Sequence, residues 1–439
     1  MRDSTVPTFG LPRSPHTPYL ESVNMPSFPA STKTTRILAT VLAVAVFWLL
    51  LSRLQVNDFF RASALTSALF MLLVLCPRLP DLLAIAVLIP SATMLRFRLT
   101  YEHWHASSGF YGTANGVLLV MSCIGFVTLL VAALRLIWSS RREDRDATLD
   151  VIVATVILVV GLIFKQYSLD FASHLRPLVL DLYTLSFDGS LGFQPSFAIG
   201  VMLNHHGWLK VAAWIAYTGI LIAMAMAHAI QVRREGPQGS RFSILLGFLV
   251  IAVIGNGVYH LFPAVGPIYA FHGLFPDAPL PAQQMAHVNV VPFFLDPQFP
   301  RNAVPSLHFS WALFIWWNLR RYGKVCEFFS LVFLGLTFLA TLGLGEHYLV
   351  DLVISFPFTL AIQALMTRRL PLRFPPKVAA LSFGIACTAA WLVLLRYGLN
   401  LFWLSPVIPW LSIALTIGFS LYLLRPLLKP QVASTADVR

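Results

Sequence analysis

The feature that most constrains this chain is a repeated pattern of long apolar blocks. The 439-residue sequence alternates blocks of roughly 17 to 24 residues, rich in Leu, Ile, Val, Phe and Trp, with short polar segments. A helix of that length crosses about 30 Å of hydrocarbon. Because lipid offers the backbone no hydrogen bonds, and a helix satisfies its own peptide groups, the pattern predicts an all-α, polytopic membrane protein.

The composition supports this prediction and weakens two other readings. The chain is 57% hydrophobic and 11% charged, whereas soluble domains carry about 25% charged residues. A soluble domain could not cover so much apolar surface. The net charge of +12 could indicate nucleic-acid binding, but the basic residues cluster in short loops between apolar blocks. Membrane topology explains them better, and we expect no nucleic-acid partner.

The apolar blocks predict about 12 transmembrane helices. Their approximate bounds are 36–54, 62–76, 80–95, 115–138, 149–165, 208–231, 242–262, 305–320, 326–344, 347–366, 378–396 and 405–424. Residues 1–35 are rich in Pro, Ser and Thr, which predicts a disordered cytoplasmic tail. The cysteines lie in or beside apolar blocks without CxxC spacing, so we expect packing residues and no disulfides. They are Cys76, Cys123, Cys326 and Cys387.

The distribution of Lys and Arg predicts the orientation of the chain. Four loops are strongly basic: 135–145, 231–241, 319–324 and 367–377. Basic residues are scarce in the intervening loops: Arg176 and Arg301 are the only Lys or Arg residues in 166–207, 263–304 and 397–404. Since cytoplasmic loops are the basic ones, both termini are expected in the cytoplasm and the long loops outside. We expect the cell membrane as the location.

The tetrapeptide "PSLH" at 305–308 lies where a long outside loop turns into a helix. The first backbone N–H groups of a helix form a site for an anion such as phosphate, and these would be the groups of Ser306, Leu307 and His308. Arg301 precedes them and could add a bidentate grip. The alternative is that Ser306 only caps the helix and His308 is an interfacial residue.

The stretch "GLGEHYLVDLVISF" at 343–356 places His347 four residues before Asp351. On a helix this spacing brings both side chains to one face, where the carboxylate can fix the imidazole tautomer. The other ring nitrogen would then serve as a nucleophile or base. An ionisable residue inside an apolar block is a functional candidate by default, although a structural His–Asp pair is the alternative.

A third stretch, "NGVYHLFPAVGPIYAF" at 256–271, ends a predicted span and enters the loop that leads to "PSLH". Pro263, Gly266 and Pro267 predict a turn. His260 lies at the membrane edge of this turn. For most of these positions, a role in ending the helix is a better explanation than a role in catalysis or binding.

Together, "FPAVGP", "PSLH" and "GEHYLVD" resemble the type 2 phosphatidic acid phosphatase superfamily, most closely its inositol phosphorylceramide synthase-like branch. The resemblance covers a six-helix core at about 149–366, flanked by helices at 36–148 and by 367–439. It implies that His347 is the nucleophile that forms a phosphohistidine, that His308 is the general acid, and that Asp351 orients the nucleophile. It implies no cofactor, and no metal-ligand cluster is visible in the sequence.

The sequence departs from the phosphatase pattern of that superfamily at two places. No Lys-x6-Arg-Pro motif occurs near 256–267, and Ala340 and Thr341 stand where the phosphatases carry Ser-Arg. The branch with "PSLH" commonly lacks both features. Phosphate neutralisation is therefore left to other residues, and the candidates are Arg301, Ser306 and His260.

Three functions are open to a chain with these features. The first is a membrane phosphotransferase that moves a phospholipid headgroup phosphate, with inositol phosphate as one example, to a lipid or alcohol acceptor. The second is a lipid phosphate phosphatase with water as acceptor. The third is a transporter, whose ionisable residues would lie near the membrane midplane. The predicted site residues fall at helix ends instead, which favours a surface-level active site outside the membrane core.

Overall fold

The structure is a computed structural model. It describes residues 37–44, 46–47, 58–104, 110–236, 243–279, 281, 289–368 and 370–428, with the backbone alone for 58–59, 97–104 and 110–115. These parts are almost entirely helical, with one pair of two-residue strands. The predicted all-α class is confirmed. The predicted tail at 1–35 and part of the first predicted span, 36–54, lie outside the described residues.

Nineteen elements follow in chain order. Four helices come first: α1 Asp58–Leu75, α2 Leu79–Trp104, α3 Phe110–Trp138 and α4 Arg142–Leu175. Next come β1 Leu178–Val179, α5 Asp181–Ser190, α6 Pro195–His205, α7 Gly207–Thr218, α8 Ile220–Glu235, α9 Ser243–Leu261, α10 Pro267–Ala270 and β2 Phe293–Phe294. The chain continues with α11 Leu307–Leu319, a 3₁₀ helix at Arg320–Tyr322, α12 Lys324–Gly343 and α13 Leu349–Met366. It ends with α14 Pro375–Tyr397, α15 Asn400–Trp403 and α16 Val407–Leu428.

Eight of the described helices are long and apolar enough to cross a membrane. They are α2, α3, α4, α9, α12, α13, α14 and α16. A ninth span arises if α7 and α8 are counted together across their bend. The chain is therefore an integral membrane protein, and the predicted number of 12 spans remains unconfirmed. The four cysteines are free, as predicted, and Cys76 and Cys123 are buried.

The predicted span 208–231 is broken at Gly219, where α7 and α8 meet at an angle of 61°. The N–H of Gly219 still donates to the carbonyl of Ile215, at 2.8 Å. A Cβ at Gly219 would lie 2.8 Å from that same oxygen, so a larger residue would crowd the bend. The break leaves Tyr217, two residues earlier, at the end of α7 and beside the site described below.

The two long segments predicted as outside loops are more ordered than expected. The segment 166–207 holds the end of α4, then β1, α5 and α6, and the segment 263–304 holds α10 and β2. The two segments are joined by the antiparallel pair of β1 with β2, in which Leu178 lies opposite Phe294. They therefore form one layer over the ends of the helices that carry the sequence motifs.

An aromatic cluster joins α5 to the C-terminal helices. Phe187 makes edge contacts with Trp391 and Phe402, at ring-centroid distances of 5.3 and 4.8 Å. Trp391 and Phe402 stack on each other at 5.8 Å. Since Phe187 is fully buried, α14 and α15 help to hold α5 in place through this ring.

Candidate active site

A cavity of about 480 Å³, here called the histidine pocket, lies at the ends of α4, α7 and α11. Its wall includes Lys165 from α4, Tyr217 from α7, His308 from α11 and Glu346 from the turn after α12. The pocket thus collects residues that are widely separated in sequence, and most of its charged lining comes from positions that the motifs did not highlight.

His308 is the second residue of α11 and is 3% exposed. Its ring stacks on Tyr217 with centroids 3.9 Å apart, and Trp311 contacts it edge-on at 5.6 Å. These aromatic contacts fix the plane of the imidazole. Its Nε2 atom is buried and has no hydrogen-bond partner among the described residues, so the packing holds a ring nitrogen available for chemistry.

His347 lies in the turn between α12 and α13, not on a helix as the four-residue spacing suggested. Its backbone is held at both ends: its N–H donates to the Thr341 carbonyl at 3.0 Å, and its carbonyl accepts from Ser196 Oγ at 2.9 Å. Its Nδ1 lies 2.9 Å from the carbonyl oxygen of Ala303. Because a carbonyl oxygen can only accept, Nδ1 carries the proton and Nε2 carries the lone pair.

The electrostatic surroundings keep His347 in its neutral form. The side chain is 1% exposed, and burial lowers the pKa of His347 to about 4. Its Nε2 is buried without a hydrogen-bond partner among the described residues. At neutral pH this nitrogen therefore holds an uncommitted lone pair, which is what a nucleophile requires.

Asp351 lies near His347, but its carboxylate is farther from the imidazole Nδ1 than the Ala303 carbonyl oxygen is. Asp351 Oδ2 accepts the N–H of Tyr348 at 2.8 Å and lies 3.5 Å from His347 Nδ1. The Ala303 carbonyl is closer to that nitrogen, so backbone geometry contributes most to the tautomer. Sequence reasoning could not find this partner, because a backbone carbonyl carries no residue signature.

Two buried carboxylates on α5 position the motif loops. Asp181 accepts the N–H groups of Val265 and Gly266, at 3.1 and 2.9 Å, and the hydroxyl of Tyr348 at 2.9 Å. Desolvation raises the pKa of Asp181 to about 6 despite these donors. It ties the "FPAVGP" loop to the residue that follows His347.

Asp188 holds the start of α13 in place. Its carboxylate accepts the N–H groups of Leu349 and Val350, the first two residues of that helix, at 2.8 and 3.3 Å. The two motif loops also touch directly at Gly266, whose φ is +101°. A Cβ at Gly266 would lie 2.3 Å from the Glu346 carbonyl oxygen, so only glycine allows this approach. The position of His347 is thus set by α5 from two directions.

Lys165 brings a positive charge to the histidine pocket. Its Nζ lies 4.8 Å from the ring centroid of Phe60 and 5.5 Å from that of Trp311. Its charge is close enough to act on both His308 and His347. Lys165 carries no functional signal in the sequence, because it is the last position of the predicted span 149–165, whereas α4 continues to Leu175.

Glu346 immediately precedes His347 and also faces the histidine pocket. Its carboxylate accepts hydrogen bonds from the Tyr269 hydroxyl, at 3.1 Å, and from the Tyr217 hydroxyl. Burial raises the pKa of Glu346, while the neighbouring charges and the two phenols oppose that rise. Tyr217 therefore connects the two sides of the pocket, because its ring stacks on His308 and its hydroxyl bonds to Glu346.

The geometry of Arg301 corrects its predicted role as a phosphate ligand. Its side chain is fully buried, and all five guanidinium N–H donors are used on backbone carbonyls, 2.6 to 3.2 Å away. The acceptors are Arg176, Pro177, Leu295, Asp296 and Phe299. Arg301 does not line the histidine pocket. It is a structural clamp that fastens the segment before "PSLH" to the end of α4.

The other two predicted phosphate ligands also lie differently from expectation. Ser306 is the N-cap of α11, where its hydroxyl accepts from Phe309 N at 3.4 Å, and its own N–H donates to the Asp351 carbonyl at 3.4 Å. The N–H of Leu307 bonds to the hydroxyl oxygen of Tyr259. Two of the three backbone donors predicted for an anion are therefore occupied. His260 packs edge-on against Phe171 at 5.9 Å and is not part of the pocket wall.

The clamp role of Arg301 makes a testable prediction. Arg301→Ala removes five hydrogen bonds to backbone carbonyls, and those of Arg176 and Leu295 lose the donor described for them, so we expect a loss of about 3–5 kcal/mol of stability. Arg301→Lys offers at most three donors and should fall in between. Thermal unfolding of the purified protein measures both, with Arg176→Ala as the control because the exposed Arg176 side chain makes none of these bonds. An unchanged unfolding temperature with lost turnover would restore the phosphate role.

The family comparison agrees with this geometry. A family model described as PAP2 superfamily matches residues 183–365. The chain is similar to the PAP2 superfamily over these residues, which include α5 from Tyr183 onward, both histidines and the whole of the loop between α9 and α11. Comparisons with curated proteins and with solved structures return no match.

PAP2 superfamily members are phosphatases or phosphotransferases, and this chain is an enzyme of that kind. The PAP2 domain and the apolar helices together indicate a lipid phosphate substrate in the membrane. The predicted core of 149–366 begins earlier than the PAP2 match. Lys165 lies in that additional part, on α4, yet reaches the same pocket. The earlier boundary therefore stays a prediction.

Proposed function

We propose that the chain is a membrane phosphotransferase that moves a phosphate-bearing headgroup from a phospholipid to a hydroxyl acceptor through a phosphohistidine at His347. The observation that carries the proposal is the state of the His347 ring. Its Nδ1–H is committed to the Ala303 carbonyl at 2.9 Å, and its buried Nε2 has no partner among the described residues. This arrangement presents a single lone pair, close to the second histidine.

In the first step, His347 Nε2 attacks the phosphorus of the donor, forming an N–P bond as the bond from phosphorus to the diacylglycerol oxygen breaks. His308 supplies the proton that the leaving oxygen needs. The negative charge of the bound phosphate stabilises the imidazolium form of His308 before transfer. In the second step, His308 takes a proton from the acceptor hydroxyl, whose oxygen attacks phosphorus and releases His347.

The covered position of His347 implies a small side-chain shift when substrate binds. The residue is 1% exposed, so neighbouring side chains have to move before a phosphate can reach its ring. Catalytic contacts in unliganded enzymes are commonly rearranged in the substrate complex. The aromatic contacts of His308 with Tyr217 and Trp311 leave its ring able to move on the pocket side without breaking a hydrogen bond of its Nε2.

Lys165 is the proposed counter-charge for the phosphate. Among the described residues that line the histidine pocket it is the one side chain with a fixed positive charge. Its contacts with Phe60 and Trp311 are cation–π contacts, which leave the ammonium hydrogens available. A lysine binds phosphate as a compact point charge.

Lys165→Ala is expected to lower kcat/KM by about 10²-fold to 10³-fold, comparable to removal of one charge-stabilising donor from an active site. Lys165→Arg should recover part of that loss, because charge is restored but the planar group fits a lysine site poorly. Steady-state kinetics with a phospholipid donor measure the effect, and Lys210→Ala, on the exposed surface of α7, is the control. Full activity in Lys165→Ala would remove this residue from the mechanism.

The pocket wall supports a hydroxyl-rich headgroup such as inositol. Gln166, Gln298 and Asn302 line the histidine pocket. Asn302 Oδ1 is buried and has no hydrogen-bond partner among the described residues. Amide side chains both donate and accept, which suits a polyol. Inositol phosphate transfer, as in the inositol phosphorylceramide synthase-like branch, is therefore the specific form of the proposal.

The deciding experiment incubates the purified protein with headgroup-labelled phosphatidylinositol, phosphatidylcholine or phosphatidate, with and without ceramide or diacylglycerol as acceptor. Mass analysis should show the acceptor carrying the headgroup phosphate, together with diacylglycerol from the donor. Free headgroup phosphate, formed in the presence of acceptor, would support the phosphatase alternative, which uses the same two histidines. Absence of any product from folded protein would overturn both.

We further propose that the active site faces away from the cytoplasm in the cell membrane, with both termini inside. The site lies at the ends of α4, α12 and α13 opposite to the basic loops 135–145, 319–324 and 367–377. Along α12 the separation from Lys324 to Gly343 is about 30 Å, which matches the hydrocarbon thickness. Basic loops are cytoplasmic in membrane proteins.

This orientation is checked by cysteine labelling in intact cells. Asp277→Cys is expected to react with a membrane-impermeant thiol reagent, and Arg373→Cys is expected to react only after the cells are permeabilised. Both side chains are exposed in the structure. The parent chain gives the background from its four native cysteines. The reverse pattern would place the site in the cytoplasm.

A further inference from the structure

The histidine pocket contains a carboxylate that the proposed mechanism does not use. Glu346 lies on the pocket wall beside the nucleophile, where a bound phosphate would feel its charge. Phosphate sites normally gather positive charge and backbone donors, so a glutamate at this place works against binding of anions. A negative side chain at this place would affect which phosphate esters bind, according to the charge that each ester carries.

Glu346 is held as a pocket residue by specific contacts. The hydroxyl of Tyr269 donates to Glu346 Oε1 at 3.1 Å, and the Tyr217 hydroxyl bonds to the same carboxylate. Lys165 is near enough to interact with its charge. Burial raises the pKa of Glu346, and the two phenol donors and the ammonium group oppose that rise by stabilising the ionised carboxylate. The side chain is therefore fixed facing the pocket, and solvent does not screen it as it would a flexible surface residue.

The charge balance of the pocket separates two classes of phosphate ester. Near neutral pH a phosphomonoester carries close to two negative charges, because its second pKa is about 6. A phosphodiester carries one. Among the described lining residues, Lys165 is matched by Glu346 before any substrate arrives. With Lys165 matched by Glu346, the imidazolium form of His308 balances a bound monoanion, whereas a dianion adds a second charge that no further described side chain in the wall offsets.

We propose that Glu346 is a specificity-determining residue that excludes phosphomonoesters and admits phosphodiesters, so that the pocket accepts intact phospholipids in preference to phosphatidate-like lipids. This inference rests on the proposed function, since it concerns the donor of the same reaction. It also gives a physical reason for a transferase in place of a monoester phosphatase: the carboxylate selects a donor whose phosphate still bears a headgroup. Like charges brought together in a pocket suppress the wrong partner strongly.

The test compares kcat/KM for phosphatidylinositol, a diester, with kcat/KM for phosphatidate, a monoester, in the wild type and in Glu346→Gln. The amide keeps the shape of the side chain and can still accept from the two tyrosines. We expect the monoester-to-diester ratio to rise by about tenfold or more in Glu346→Gln, because one like-charge contact is removed. Asp170→Asn is the matched control: it removes an equal charge from the exposed mouth of the pocket, and the ratio should stay within about twofold, because charges at solvent-exposed positions are screened.

A second measurement needs no variant and covers the case in which Glu346→Gln does not fold. Methyl phosphate and dimethyl phosphate are tested at pH 8 as competitive inhibitors of the wild-type enzyme. The monoanionic dimethyl phosphate should inhibit at lower concentration than the dianionic methyl phosphate. Stronger inhibition by methyl phosphate, or an unchanged ester ratio in folded Glu346→Gln, would overturn the role of Glu346 while leaving the transferase intact. Failure of the wild type to convert any phospholipid would overturn the proposed function, and this inference with it.

Discussion

Replacement of His347 by alanine is expected to reduce turnover by a factor on the order of 10⁴ or more, because the covalent step needs the imidazole nitrogen that this side chain supplies. The variant should fold normally. The side chain makes one hydrogen bond, to the Ala303 carbonyl, and the neighbouring loops are held by Asp181 and Asp188 through the backbone and Tyr348. Thermal unfolding near the wild-type temperature is the check on this point.

The covalent intermediate gives a sharper readout than turnover. A donor labelled in its phosphate should leave label on the wild-type protein after rapid denaturation, and that label should be lost in acid and kept in alkali, as expected for a phosphoramidate. His347→Ala should take up none. Ser196→Ala is a useful comparison, since it removes the hydrogen bond to the His347 carbonyl and leaves the ring untouched. Label of the same stability on His347→Ala would refute the assignment of the nucleophile.

His308→Ala is expected to lower turnover of phospholipid donors by about 10²-fold to 10⁴-fold, the range for loss of a general acid. The effect should depend on the leaving group. A diester with a nitrophenyl leaving group needs little protonation, so the variant should keep a much larger fraction of wild-type activity on it. Parallel kinetics with both donors measure the difference.

Tyr217→Phe provides the control for His308, because it preserves the ring that stacks on the imidazole at 3.9 Å and removes only the hydroxyl. It should leave the dependence on the leaving group unchanged. If His308→Ala lost activity equally on both donors, the residue would be needed for shape or binding, and the acid would have to be sought elsewhere in the pocket.

The sequence could predict the histidines but not the full pocket around them. His308 and His347 stand in short motifs next to Pro and Gly, which mark the ends of apolar blocks, and the structure brings both to one place. The family match also covers them. Local patterns of this kind report where the chain leaves the membrane, and in this fold the site lies at that level.

Arg301 shows why proximity along the chain is a weak guide. It stands four residues before "PSLH", yet its guanidinium is bonded to backbone carbonyls and does not line the pocket. Lys165 shows the reverse. It is far from every motif and was assigned to a membrane span by a boundary that fell at that residue, whereas the helix runs ten residues further. Which charged side chain faces a cavity depends on helix rotation and length, and a single sequence specifies neither.

The position of α5 predicts how a substitution far from the active site would affect catalysis. Asp181 and Asp188 of α5 hydrogen-bond to the loops that carry the motifs. Phe187 of the same helix packs against Trp391 and Phe402 of the C-terminal helices. A substitution in this distant aromatic cluster would therefore disturb the position of His347, because it would loosen α5, which contacts both the cluster and the motif loops. Screens for inactive variants should yield positions near the C-terminus that never approach a substrate, and their defects should be relieved by lowering the temperature or by tighter packing around Phe187.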